Sequence, residues 1–470
     1  MSLLRRLRAP SLESLFVAAL VLLGFRLGAL PISDNSMLTH LRTGIDMVSG
    51  HGIPRTDPYS YTARGTKWVV QSWLPEWTYG WLHRLGGFRL VVFEQAVLAA
   101  VLAWLIARLA RSGTPVRTAL AAGLAIGIGA PFWSPRPLLF GLLCMGLTVT
   151  VVERRRTPWL LVPIVWVWVN SHGSFPLGGV WLVARAAGEW LDWKAWPRET
   201  MRYVLAFLGS LVVAALNPLG AKLLFFPLTL GEKSSVFGRV VEWQSPDFHR
   251  TGDRFALVLL AVALVLLFRA RLTWRDSVPA MVFLVLSLYA VRNVPIFAIT
   301  LAPVLQRILR RPEGAAPRKA PTESQLRTNR ALLATIAAAF VLFGALAVTG
   351  DALNLRAYPV DAAGYLDGAR LLSQPHRVVH QDAVGNYLSF RFGRSVRVFI
   401  DDRVDMYPVH VSRDYAHLLA ARPDALSILA WYDADVVLWE RRQPLAQVLR
   451  TSGAWREVWS DEDWVVFRRS

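Results

Sequence analysis

The chain holds a single cysteine, Cys144, in 470 residues, so no intrachain disulfide can form. Cys144 sits inside an apolar run and reads as core filling. Any part that lies outside the cytoplasm must then be held by packing alone. Acids are also scarce, with 33 Asp and Glu against 52 Lys and Arg, a net charge of +19. There is no Gly-x-x-x-x-Gly-Lys loop, no Ser-His-Asp arrangement and no spaced Cys/His set, which sets aside P-loop, serine-hydrolase and zinc-ribbon chemistry. No small-residue cleavage site clearly ends the first apolar run, which therefore reads as a retained helix. The apolar runs lack the mid-membrane charges and paired broken helices of ion-coupled carriers, so a lipid or solute transporter would need a polar path that the sequence does not announce.

What the chain has is apolar length. Hydrophobic residues make up 54% and the mean hydropathy is +0.36. Runs such as Leu15–Leu30, Leu90–Leu105, Phe255–Leu267 and Ala331–Val348 carry few or no charges. A helix needs ~20 residues to cross ~30 Å of hydrocarbon. About eleven spans are expected, near 13–31, 89–109, 118–132, 138–152, 159–170, 177–190, 203–217, 255–268, 277–291, 294–309 and 331–349. The basic residues gather in short loops on alternate sides of these spans: Arg5, Arg6 and Arg8; Arg108, Arg111 and Arg117; Arg154, Arg155 and Arg156; Arg269, Arg271 and Arg275; then Arg307, Arg310, Arg311, Arg318 and Lys319. This positive-inside pattern, and not nucleic-acid binding, accounts for the charge. It puts the N-terminus in the cytoplasm and, with an odd span count, the C-terminus outside.

The expected fold class is an α-helical polytopic membrane protein with a small C-terminal α/β domain. Residues 1–349 form the membrane domain, with a first outer loop at about 32–88, a second at about 217–254 and a cytoplasmic linker at about 310–330. In residues 350–470 strand-like runs (Arg377–His380, Val396–Ile400, Val436–Trp439, Trp464–Arg468) alternate with helix-like runs (Asp382–Phe390, Arg413–Ala421, Pro444–Arg450).

The first outer loop opens on Asp34 as the first span ends. Asn35 or Ser36 can cap a helix whose apolar face carries Met37, Leu38, Leu41, Ile45 and Val48, with Thr39, His40, Arg42, Thr43 and Asp46 facing away. Such a helix is expected to lie along the membrane surface, apolar side down, until Gly50 and Gly52 end it. A second helix is expected from about Ser72. The aromatic density (Tyr59, Tyr61, Trp68, Trp73, Trp77, Tyr79, Trp81) suits an interface belt and equally suits stacking on sugars.

Several motifs carry a resemblance. They are Asp34 with His40-Leu41-Arg42-Thr43-Gly44; Gly52-Ile53-Pro54-Arg55-Thr56-Asp57-Pro58-Tyr59-Ser60-Tyr61-Thr62; Trp68-Val69-Val70-Gln71-Ser72-Trp73-Leu74; Ser134-Pro135-Arg136-Pro137; Trp168-Val169-Asn170-Ser171-His172-Gly173; Glu242-Trp243-Gln244-Ser245-Pro246; Arg292-Asn293-Val294-Pro295-Ile296-Phe297; and Val398-Phe399-Ile400-Asp401-Asp402-Arg403. Together they resemble a mostly uncharacterised bacterial membrane family of the GT-C glycosyltransferase superfamily, which includes protein mannosyltransferase-like and lipid-A-sugar-transferase-like enzymes. The resemblance implies a multi-pass protein of the bacterial inner membrane. It implies a polyprenyl-phosphate sugar donor, a glycan, lipid or protein acceptor, and inverting displacement by the acceptor hydroxyl.

The same resemblance makes Asp34 the catalytic base, since GT-C enzymes use an acid early in the first outer loop. Arg136 and Arg292 become the candidates to hold the leaving phosphate, because a guanidinium fork presents paired donors. His40 and Asp57 are further catalytic candidates. Asn170, His172, Glu242, Trp68, Trp73 and Glu76 are candidates to line the substrate site. Each also has a plain reading. Asp34 can simply cap a helix, Asp57 before Pro58 can form a turn, and Glu76 can face water or pair with Arg84. His40 can be solvated, Asn170 and His172 can mark the exit from lipid, and the two arginines can snorkel to headgroups. Many GT-C enzymes carry a second acid in the next outer loop; here that loop, Phe132 to Pro137, has none, so Asp57, Glu76 or Glu242 would have to serve, or the second acid and metal binding are missing together. A divalent cation is thus possible without a clear ligand set. Asp401, Asp402 and Asp405 resemble metal-binding acids, but a structural pair with Arg403 or an acceptor-docking role fits them better. A non-catalytic scaffold that binds a glycolipid in envelope polysaccharide assembly is the alternative to an enzyme.

Overall fold

The computed structural model describes residues 10–232, 241–311 and 321–470, and the chain forms two compact units. One comprises Met1–Pro31, Phe88–Leu224 and Val240–Ala352; the other comprises Ile32–Gly87, Phe225–Arg239 and Leu353–Ser470. Arg5, Arg6, Arg8, Arg318 and Lys319 lie outside the described residues, as do parts of the second loop and of the linker.

Among the described residues of the first unit, a helix lies over each of the eleven expected apolar segments. They are α1 (Leu12–Gly28), the second half of α3 (Trp73–Leu109), α4 (Pro115–Gly129), α5 (Leu138–Glu153), α6 (Leu161–Val169), α7 (Pro176–Trp193), α8 (Arg198–Ala214), α10 (Thr251–Arg269), α11 (Trp274–Tyr289), α12 (Val294–Ile308) and α13 (Glu323–Thr349). The helix α9 (Lys222–Glu232) follows α8, and α2 (Ser36–Asp46) belongs to the second unit. Trp73–Leu109, Pro115–Phe132 and Glu323–Thr349 are long and apolar enough to cross a membrane; Leu138–Glu153 and Pro158–Val169 are apolar but shorter. α3 breaks at Gly86 and Gly87, the latter at φ +68°, a left-handed conformation that glycine adopts without strain. The boundary between the units falls at that break.

Small residues bring the helices of this unit together. A Cβ at Gly24 or Gly28 of α1 would meet the Ala99 or Gln95 carbonyl oxygen of α3 at 2.7 and 2.6 Å. Phe25 stacks edge-on against Phe93 of α3 and Phe340 of α13, at 6.0 and 5.5 Å between ring centres. Apolar side chains on the outside stay uncovered, Val212 and Val341 at 73% and Phe268 at 82% exposure, which water would penalise and lipid does not. The polar contacts of this unit fall into two groups. One joins Arg136 to Glu242, and the backbone N–H of Val291 to the Gln244 carbonyl. The other joins Glu153 to Arg185 and Arg307, Arg307 to Asp276, and Arg117 to the Leu309 and Arg310 carbonyls.

The second unit is built on a four-stranded sheet in the order β1-β2-β4-β3, from β1 (Val378–His380), β2 (Val436–Glu440), β3 (Trp455–Ser460) and β4 (Trp464–Arg469). β1 runs parallel to β2; the other pairings are antiparallel. Its helices are α14 (Val360–Gly368), α15 (Asp382–Phe392), α16 (Val409–Leu419), α17 (Ala425–Trp431) and α18 (Pro444–Thr451). The core joins Val437, Trp439, Leu449 and Phe467 to Met47, Tyr59, Trp68 and Val70 of the first loop.

Two local expectations need correction. Val396–Ile400 is no strand. Val398 makes one isolated parallel bridge to Ser60, because its partner is a turn-rich segment that offers no ladder to extend. The polar face of α2 does not face water: Thr39, Thr43 and Asp46 are buried. The C-terminal segment and the first loop supply partners for it. Thr39 Oγ1 donates to Asn386 Oδ1 on α15 at 2.7 Å, and Asp46 accepts from Arg394 Nε at 2.8 Å and from the Tyr59 hydroxyl at 2.9 Å.

Candidate functional site

Asp34 sits half-buried at the start of α2. Its Oδ1 accepts from the backbone N–H of Ser36 at 3.0 Å, a capping bond of the kind that favours Asp at helix starts. The Ser36 hydroxyl points the other way and donates to Asp402 Oδ2 at 2.8 Å, while Asn35 Nδ2 donates to Asp402 Oδ1 at 3.3 Å. The Asp402 backbone N–H donates to Asn386 Oδ1 at 3.1 Å. Burial, then the Asp382 carboxylate, push the Asp402 carboxyl up to about 7; Asp34 adds to the push, and the Ser36 and Asn386 hydrogen bonds oppose it. The sequence offered no signal for this neighbourhood, since 367 positions separate Asn35 from Asp402.

Asp57 is buried and closes a turn. Its two oxygens accept from the backbone N–H groups of Tyr59 and Ser60, both at 3.0 Å, and Oδ1 also accepts from Arg403 Nη1 at 2.6 Å. Arg403 is held on its other side by Asp401, with Nε 2.9 Å from Oδ1 and Nη2 2.6 Å from Oδ2. The expected pair of Arg403 with an adjacent acid is therefore present. The guanidinium lies 4.7 Å from the Trp68 ring centre, 4.9 Å from that of Tyr59 and 5.9 Å from that of Tyr407. Trp68 thus faces a cation inside the core, and Trp73 packs half-buried against the same core. Trp77 and Trp81 remain exposed.

Glu76 neither faces water nor pairs with Arg84; that expectation is corrected. It is 2% exposed and takes the His40 imidazole at 2.7 Å and the Ser72 hydroxyl at 2.9 Å, both on Oε1. Its Oε2 is buried without a hydrogen-bond partner. The arrangement follows from the close approach of α2 to α3 at Gly44 and Gly80, where a Cβ on either residue would run into the other helix's backbone. His40 and Glu76 were separate candidates in the sequence, and the fold brings them together.

In the helical unit, Arg136 pairs with Glu242, and the Arg292 guanidinium stacks 4.3 Å above the neighbouring Trp243 ring. Both arginines thus converge on the Glu242-Trp243 turn. Asn170 and Ser171 are buried at the end of α6, where Asn170 Nδ2 donates to the Trp166 carbonyl at 2.7 Å. His172 Nδ1 accepts from the Ser174 backbone N–H at 3.2 Å and lies 2.8 Å from the Ser174 hydroxyl. Gly141 of α5 leaves room for this turn, since a Cβ there would lie 2.9 Å from Ser174 Oγ. Among the described residues, no group of three or more His, Cys, Asp or Glu side chains is arranged to hold a metal ion.

Apolar helices interrupted by a long first loop, with a small α/β segment at the C-terminus, make up the described chain. The comparison with solved structures supports the GT-C fold expected from the sequence. The chain is similar to the archaeal oligosaccharyltransferase AglB from Archaeoglobus fulgidus, solved with an inhibitory peptide and a dolichol-phosphate, with TM-score 0.50 and 12% identity over 90% of this chain and 69% of that one. It also aligns with ArnT from Cupriavidus metallidurans bound to undecaprenyl phosphate, with TM-score 0.49 and 14% identity over 97% of each chain. At such identities the likeness is one of fold. No protein-family model matches the chain, and no curated protein matches it.

Proposed function

We propose that the chain is a glycosyltransferase of the bacterial plasma membrane that passes a sugar from a polyprenyl-phosphate donor to an acceptor hydroxyl on the outer side. In this reading Asp34 takes the proton from the attacking hydroxyl. The new bond forms at the anomeric carbon as its bond to the lipid phosphate breaks, with inversion. Arg136 and Arg292 stabilise the departing phosphate. The observation that carries the reading is Asp34 itself: in a GT-C fold, a half-exposed carboxylate held by the Ser36 N–H opens the first loop. His40 and Asp57 act in this reading as supports, through Glu76 and Arg403. The test is Asp34→Asn in purified protein given a set of polyprenyl-phosphate sugars. Transfer should fall by ~100-fold or more; unchanged transfer removes Asp34 from the role.

One observation favours a second reading, a non-catalytic scaffold that binds a glycolipid. Glu242 already neutralises Arg136, and Trp243 already covers one face of Arg292. Glu242→Gln separates the two readings. If the arginines serve a phosphate, the variant binds undecaprenyl phosphate more tightly and transfer responds. If they serve only the fold, binding stays as it was and the variant loses stability.

A further inference from the structure

We propose that Asp402, supplied by the C-terminal segment, is a positioning residue for Asp34: the two carboxylates hang from Ser36 as one acid pair, so that Asp402 fixes the residue that orients Asp34. The pair rests on geometry, and its service to catalysis rests on the transferase reading above.

Ser36 fixes both acids at once, the backbone N–H at 3.0 Å from Asp34 Oδ1 and the hydroxyl at 2.8 Å from Asp402 Oδ2. A shift of Asp402 therefore moves the residue that orients Asp34. Asn386, fully buried beside the pair, accepts at Oδ1 from the Asp402 N–H and from the Thr39 hydroxyl. The Tyr358 phenol, pushed up first by burial, is pushed further by both Asp402 and Asp34, so the two acids share one environment.

Two carboxylates in one environment do not both ionise cheaply, and the one in the drier place takes the proton. The groups facing Asp402 are Asp34 and Ser36 from the start of α2, Asp382 and Asn386 from α15, and the phenols of Tyr358 and Tyr415. Asp382 is itself engaged by the Tyr415 hydroxyl at 2.9 Å. When Asp402 is ionised, the Ser36 hydroxyl donates to it. When Asp402 is protonated, its own O–H donates to Ser36 Oγ.

The test uses the full-length protein in detergent with aspartate side-chain carboxyls labelled with carbon-13, followed by NMR across pH. One carboxyl should titrate near neutrality and vanish in Asp402→Asn. In Asp34→Asn its midpoint should fall by roughly half a unit or more, because a like charge has gone. In Ser36→Ala it should rise, because a bond to the ionised form has gone. A wild-type protein with no aspartate titrating near neutrality overturns the pair, as does an Asp34→Asn variant with an unmoved midpoint. If Asp402→Asn does not fold, the other two variants still decide. A moved midpoint with sugar transfer intact in Asp34→Asn leaves the pair standing and removes the transferase role; an unmoved midpoint removes the pair whatever the transfer assay gives.

Discussion

Arg403 shows how one residue organises the second unit. Its guanidinium meets Asp57 from the first loop, Asp401 from the C-terminal segment and three aromatic faces, and its side chain is 5% exposed. Two buried acids around one buried cation leave a net negative charge, which the fold tolerates because Asp57 also takes two backbone N–H groups. Arg403→Met is expected to leave both acids without a counter-charge and to cost ~3–5 kcal/mol, read as a lowered unfolding midpoint in detergent. Arg403→Lys should recover little of this, because an ammonium lacks the fork that meets two carboxylates in one plane. A wild-type midpoint in Arg403→Met would show that the cluster contributes nothing to stability. The pair with Asp401 was readable from adjacent letters in the sequence. The partnership with Asp57, 346 positions away, was not.

At the scale of elements, local pattern and distant partners divide the outcome. The apolar runs give their helices without help from context, and the α2 helix begins after Asn35 and gives way at Gly50 and Gly52 as its residue types predict. The face that α2 turns away from its apolar stripe was misread, because a run such as Thr39, Thr43 and Asp46 looks solvated until the α15 segment arrives to bond it. Val396–Ile400 has strand composition but meets only one turn, and Trp455–Ser460 has mixed composition but is held by its hairpin with β4. The close approach of α2 and α3 gives a test at this scale. Gly44→Ala puts a methyl group against the Glu76 carbonyl and the Gly80 nitrogen, so the helices must part. It should cost ~1–3 kcal/mol and loosen the His40–Glu76 contact. Gly123→Ala, which meets nothing within 4 Å, is the control and should be neutral or slightly stabilising. Equal behaviour of the two variants in thermal unfolding would show that the Gly44 contact is not tight.

For the whole molecule the open quantity is which side of the membrane each loop set faces. Charge counting predicts Arg154, Arg155 and Arg156 inside and the C-terminal segment outside. A transferase that uses a lipid-linked donor on the outer face requires that orientation for the Asp34 loop. The single cysteine makes the measurement clean, since Cys144 is buried. On a Cys144→Ala background, Glu462→Cys and Thr157→Cys each put one thiol at an exposed position, the first in the β3–β4 turn and the second in the Arg154–Arg156 loop. A membrane-impermeant maleimide applied to intact cells should label Glu462→Cys and spare Thr157→Cys until the cells are broken. The reverse pattern would turn the whole molecule over. Because Asp34 and Asp402 lie in the same compact unit as residue 462, it would place both acids in the cytoplasm and end the outer-face reaction proposed for them. Labelling of both thiols in intact cells would break the alternation itself, and with it the count of crossings between residues 157 and 462.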